Sequence, residues 1–188
     1  MPLAPYKVTI CGIPELGLHC GAGVSHLLSI IDTHEPRPLA LDQYSGIDHE
    51  LIRFDDIVAE YPGFEACTPQ HIERILTFGE RAHAAHGTKG ADGHVLVHCH
   101  AGVSRSTAAG AILMAQFAPG EEEAAFLKLL TLRKHGWPNT RMVEFADRLL
   151  DRKGAMLEGL KAYRRALLAE KPHLQEIIRN IGRGHELP

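Results

Sequence analysis

An excess of charge of either sign is lacking in this sequence. Its 188 residues carry 20 Lys and Arg against 23 Asp and Glu, a formal net charge of −3. That balance offers no basic surface for nucleic acid and no polybasic patch for an anionic membrane. Cysteine is sparse too: Cys11, Cys20, Cys67 and Cys99 are widely spaced and form no CxxC pair. A disulfide framework and a zinc ribbon are thereby disfavoured, and a reducing compartment is expected. Apolar runs are short; the one near Leu27 to Ile31 is far from the length that spans a bilayer. Met1 to Tyr6 lacks the basic and apolar regions of a signal peptide. Internal repeats and low-complexity segments are absent. The expectation is a soluble cytoplasmic protein with no nucleic-acid or membrane partner. A hydrophobic content of 45% and a charged content of 23% are ordinary for a single globular domain of this length.

What the sequence does have is concentrated in Val95 to Thr107, V-L-V-H-C-H-A-G-V-S-R-S-T. His94 to His98 reads as a buried strand. Cys99 follows, then a short turn with Gly102, then Arg105 and a run of small residues that begins a helix. In a tight loop that opens a helix, backbone N–H groups converge and form a nest for an anion. Residues His100, Ala101, Gly102, Val103 and Ser104 supply that nest. Arg105 adds a planar fork for two oxygens of the same anion. This positive field favours a thiolate at Cys99, which can attack what the nest holds. A tetrahedral oxyanion open to thiolate attack points to a phosphate monoester.

The rest of the chain supports such a unit. Strands are expected at Lys7–Cys11, His26–Asp32 and His49–Phe54, with a further short one at Leu39–Leu41. Thr68-Pro69 is a helix entry, and Ile72, Ile75, Leu76 and Gly79 carry that helix to about His86. Gly87 to Gly93 reads as a flexible connector. Helices follow at Ser104–Phe117, Glu121–His135 and Thr140–Arg152, separated by Pro119-Gly120 and by the turn Gly136 to Asn139. Two more apolar stripes lie beyond Gly154 and around Leu174 to Ile181, and Gly182 to Pro188 is expected to fray. Strands in the first half and helices in the second predict a three-layer α/β domain, a central twisted mixed sheet flanked by helices. The reactive loop leaves the C-terminal end of a central strand.

His98 to Ser106, H-C-H-A-G-V-S-R-S, resembles the H-C-x(5)-R-S/T signature of cysteine-dependent protein phosphatases, closest to the small dual-specificity and bacterial tyrosine-phosphatase type. The resemblance covers roughly Lys7 to Arg152 and leaves residues 153–182 as additional helices of a single domain, 1–188. It implies a phosphotyrosine protein phosphatase-like fold and hydrolysis through a phosphocysteine. Cys99 would be the nucleophile, Arg105 the phosphate ligand, and Ser106 the hydroxyl that eases departure of the sulfur. The family's general acid follows a strand in an apolar-x-apolar-x-Asp pattern. Ile52-Arg53-Phe54-Asp55-Asp56 fits with Asp56 as the acid and Asp55 as the fallback. His98 would orient the loop. Asn139 either supports the site, as in a Pro-Asn turn of the family, or caps the next helix; Trp137 is expected to pack in the core or at an edge. Neither a cofactor nor a metal is implied, although His94, His98 and His100 flank the thiol. The loop has none of the lysines of phosphoinositide-specific relatives. The partner expected is therefore a phosphorylated protein or peptide, phosphotyrosine first, with a small phosphorylated metabolite or mere phosphotyrosine binding as alternatives.

Overall fold

The computed structural model describes residues 3–86 and 93–188, so most of the expected connector, 87–92, lies outside the described residues. Among the described residues four strands form one sheet: β1 (Lys7–Gly12), β2 (His26–Ile31), β3 (Asp48–Arg53) and β4 (His94–Cys99), in the order β1-β4-β2-β3. Every pairing is parallel, where a mixed sheet was expected. The reason is that each successive strand returns by a crossover rather than a hairpin. All six residues of β2 and all six of β4 are buried, as befits central strands covered on both faces. Parallel strands bring their C-terminal ends to one edge, so Gly12, Ile31, Arg53 and Cys99 end at the same rim.

Alternation along the strands separates two apolar cores. Ile10, Leu28, Ile30, Val95, Val97 and Cys99 face the larger one. This face is covered by α2 (Pro69–His86), α3 (Arg105–Gln116), α6 (Thr140–Leu149) and α7 (Ala155–Glu170). The short helices α4 (Glu122–Leu127) and α5 (Leu129–Leu132) and the helix α8 (Leu174–Asn180) add Phe126, Leu129 and Ile178 to the same core. The opposite face is thinner: Cys11, Leu27 and Leu96 pack under Leu16 of the single turn α1 (Leu16–His19) and Leu41 of a 3-10 helix. The small residues of α3 have their use here. A Cβ at Gly110 would lie 2.6 Å from Ile10 Cδ1, so glycine lets the helix approach β1. Among the described residues no helix is long and apolar enough to cross a membrane.

Other expectations are corrected. Leu39–Leu41 is not a strand but the start of the 3-10 helix Leu39–Gln43, begun by a Leu41 N–H bond to the Pro38 carbonyl at 3.0 Å. The helix expected over Glu121–His135 breaks at Lys128 and stops at Leu132, because Arg133 turns to extended backbone (φ −150°, ψ 88°) and takes up contacts elsewhere. The segment Gly182 to Pro188 does not fray; it contains a 3-10 helix, Gly184–Glu186, with Glu186 buried.

Three histidines, His26, His94 and His98, are buried. Burial pushes His26, His49, His71 and His94 below the ordinary histidine value and pushes His98 down to about 4. Hydrogen bonding agrees for His71, whose Nδ1 accepts the Thr68 N–H at 3.1 Å and so carries no proton. Unfolded, these side chains bind protons near pH 6.5; folded, they resist. Stability is therefore lost as pH falls from about 6.5 toward about 4. His98 alone should lower the unfolding free energy by about 2 kcal/mol between pH 7 and pH 5. Urea midpoints at the two pH values check this, and an unchanged midpoint would contradict it.

Candidate active site

The loop between β4 and α3 is held by its carbonyls. His100 O accepts the Ile13 N–H at 2.9 Å, and Val103 O accepts the Trp137 N–H at 2.8 Å. Gly102 O and Ala101 O accept Nε and Nη2 of Arg133, at 2.9 and 3.1 Å. Ser104 O accepts the Ala108 N–H at 3.0 Å and the Asn139 N–H at 3.3 Å. With these oxygens turned outward, the N–H groups of Ala101 to Ser104 meet no hydrogen-bond acceptor among the described residues. Unpaired amides in a tight loop that opens a helix are what an anion nest requires. Gly102 makes the turn possible: its φ is +71°, and a Cβ there would lie 2.6 Å from the Cys11 carbonyl carbon.

Cys99 lies at the floor of this loop, 2% exposed, with its Sγ 3.2 Å from Ser106 Oγ. Arg105 is equally buried. Its Nη1 donates to Phe54 O at 2.6 Å and pairs with Asp32 Oδ1 at 2.6 Å, which fixes the plane of the guanidinium. Its Nε has no hydrogen-bond partner among the described residues and lies 3.9 Å from Asp56 Oδ2. One edge of the fork is thus anchored and another is uncommitted.

The two candidate aspartates separate cleanly. Asp56 faces the loop: its Oδ1 accepts the Ser104 hydroxyl at 2.7 Å and Asn139 Nδ2 at 3.0 Å. Asp55 faces away and brackets the following loop, accepting the N–H groups of Thr33 at 3.3 Å and Glu65 at 2.7 Å. Asn139 is the cap of the next helix, as one of its two expectations had it. Its Oδ1 accepts the Met142 N–H at 3.2 Å as the cap of α6, while its amide holds Asp56. His98 is on the opposite face of β4 from Cys99, its Nε2 2.6 Å from Ser29 Oγ, which in turn is 2.8 Å from His49 Nε2. His94 is tied to Thr9 Oγ1 at 2.8 Å, and His100 is exposed, so the three flanking histidines do not converge. Trp137 is buried, with its Nε1 donating to Glu186 Oε2 at 2.7 Å.

Three contributors escaped the sequence reading. Asp32 could have been suspected, since it stands at the exit of β2 on the active rim. Arg133 gave only the signal of a basic residue near a helix end. Glu15 anchors Arg133 Nη1 at 2.7 Å and the Gly12 N–H at 2.7 Å, and nothing in its surroundings marked it.

No protein-family model and no curated protein matches the chain. Solved structures do, and their fold is that of the cysteine-dependent tyrosine and dual-specificity phosphatases. Human DUSP28 is 22% identical with a TM-score of 0.57, over 81% of this chain and 96% of that one. Tk-PTP in its active form is 18% identical with a TM-score of 0.53, over 78% and 92%. The human tyrosine phosphatase-like serine/threonine/tyrosine-interacting protein is 17% identical with a TM-score of 0.57, over 78% and 92%.

Arg133 holds two of the loop carbonyls, so its loss frees the amides beside them to rotate. Arg133→Ala should weaken the affinity for vanadate or tungstate by about 10–10²-fold, the worth of a lost hydrogen bond to a charged group. Isothermal titration checks this; unchanged affinity would show that the loop holds its shape without the arginine.

Proposed function

We propose that the protein hydrolyses phosphate monoesters through a phosphocysteine, as a phosphatase of the tyrosine or dual-specificity type. The observation that carries the reading is the conjunction at one rim of a thiol, four loop amides without an acceptor among the described residues, a half-anchored guanidinium and a carboxyl. The Cys99 thiolate attacks phosphorus as the ester P–O bond breaks, and Asp56 gives its proton to the departing oxygen. Arg105 and the loop amides hold the equatorial oxygens, where charge spreads in the transition state. Water then attacks phosphorus, Asp56 takes its proton, and the S–P bond breaks. The Ser106 hydroxyl, 3.2 Å from the sulfur, stabilises the thiolate that leaves. The chain is a single domain in this reading, and its surroundings are cytoplasmic.

The substrate favoured is a phosphorylated protein or peptide, phosphotyrosine first. One similar structure, PTPMT1, is a complex with PI(5)P (14% identity, TM-score 0.55, 84% of this chain and 97% of that one). The loop residues His100 to Ser104 here include no lysine or arginine to meet additional ring phosphates. A deep thiol also suits an aryl ester that reaches down better than a short alkyl one.

Cys99→Ser should abolish hydrolysis of p-nitrophenyl phosphate. Asp56→Asn should lower kcat for phenyl phosphate, whose leaving group needs a proton, by about 10²–10⁴-fold. Full activity of the second variant would remove Asp56 from the role. A wild-type protein that binds a phosphotyrosine peptide and releases no phosphate would be a binding module instead.

A further inference from the structure

Beyond α8 the chain turns at Gly182, whose φ is +78°, and runs back toward the reactive loop. Glu186 fastens it there. Its carboxylate is almost wholly buried and accepts Trp137 Nε1 at 2.7 Å and Arg183 Nε and Nη2 at 2.6 and 3.0 Å. It also accepts the Thr140 hydroxyl and pairs with Arg164 Nη2 at 3.2 Å. Burial alone would raise its pKa, but the bonds and charges of Arg183 and Arg164 outweigh that and hold Glu186 at about 2. Arg164 Nη2 reaches the Pro138 carbonyl at 3.0 Å, so the clasp grips the same turn that carries Asn139.

Two arms of Arg183 are spent on Glu186, and the third, Nη1, reaches Ser104 Oγ at 3.4 Å. A guanidinium only donates, so Ser104 Oγ accepts there. Its single hydrogen is then committed to Asp56 Oδ1 at 2.7 Å, where Asn139 Nδ2 already donates at 3.0 Å. An oxygen that accepts two donors is not the one that carries the acid proton. Oδ2, the oxygen 3.9 Å from Arg105 Nε, is left for that.

We propose that the strap Arg183–Glu186 positions the general acid: through Ser104 it saturates Oδ1 of Asp56 and leaves Oδ2 to deliver the proton to the leaving oxygen. The proposal rests on the reading of Asp56 as that acid. In the step, the Oδ2–H bond breaks as the ester P–O bond breaks, and the proton ends on the departing oxygen while sulfur bonds to phosphorus. Arg183 is a positioning residue, since it touches neither the anion nor the reacting atoms.

The test compares kcat for phenyl phosphate and p-nitrophenyl phosphate, the second having a leaving group that departs with little help. Arg183→Ala should lower kcat about tenfold for phenyl phosphate, within the range of a weakened general acid, and less than about twofold for p-nitrophenyl phosphate. KM and vanadate affinity should stay as in the wild type. In the Ser104→Ala background the further loss from R183A should vanish, because the arginine acts through that hydroxyl. R183A leaves Glu186 bound to Arg164, Thr140 and Trp137, which favours folding. Arg183→Lys keeps the charge without the second arm; it should show the same dependence on leaving group and serves if R183A does not fold. Equal losses on both substrates, or no loss on either, would overturn the strap's role while Asp56→Asn still discriminates between them. If Asp56→Asn itself fails to discriminate, the reading of Asp56 falls, and the strap's role with it.

Discussion

A loop whose amides point inward is unstable unless something holds its carbonyls outward, and that tether is what the rest of this structure serves. The anchors come from four separate stretches: the Ile13 amide after β1, the Arg133 side chain, the amides of Trp137 and Asn139, and the first turn of α3. Each is fixed by a larger element. Arg133 is itself held by Glu15, and the Trp137–Asn139 turn by Glu186 and Arg164. The loop's shape is thus set by tethers from outside it, as the proposed anion cradle would need.

The parallel sheet makes this convergence possible. Crossovers place every strand exit on one rim, so Asp32, the Phe54 carbonyl and Cys99 meet although they are far apart in sequence. The period of two then sorts the chemistry by face. Cys99 faces the thick core, where α3 can deliver Arg105 and Ser106. His98, one residue earlier, faces the thin side and joins Ser29 and His49. His98 was expected to orient the loop; burial pushes its pKa down to about 4, and it lies on the opposite face of the strand from the sulfur.

What the sequence made legible was local. Four strands, the helix opened by Thr68-Pro69, and the Cys99–Arg105 spacing rest on neighbours within a few residues, and all were found within a residue or two. That Asp56, and not Asp55, faces the loop followed from the pattern on the strand before it. The mixed sheet, the strand at Leu39–Leu41 and the unbroken helix to His135 failed where tertiary contacts decide. Arg133 leaves the helix because two carbonyls and Glu15, distant in sequence, offer it more than another helical turn. Glu186 looked like part of a frayed tail because its partners, Trp137, Thr140 and Arg164, carry no mark of one another in a single sequence. Ion-paired clasps of this kind have no period to read.

Three aspartates at one rim end with three different tasks, and their partners decide which. Asp55 accepts two backbone amides and only shapes the loop behind it. Asp32 pairs with the anchored arm of Arg105, so its charge is spent on holding the guanidinium in plane. Asp56 accepts a hydroxyl and a side-chain amide on one oxygen and is half-exposed beside the uncommitted edge of Arg105. Partners, not residue type, thus tell the three apart: an aspartate engaged on both oxygens by backbone amides is structural, one paired to an anchored guanidinium holds it in place, and only one with a free oxygen at the open edge of Arg105 suits the role proposed for Asp56.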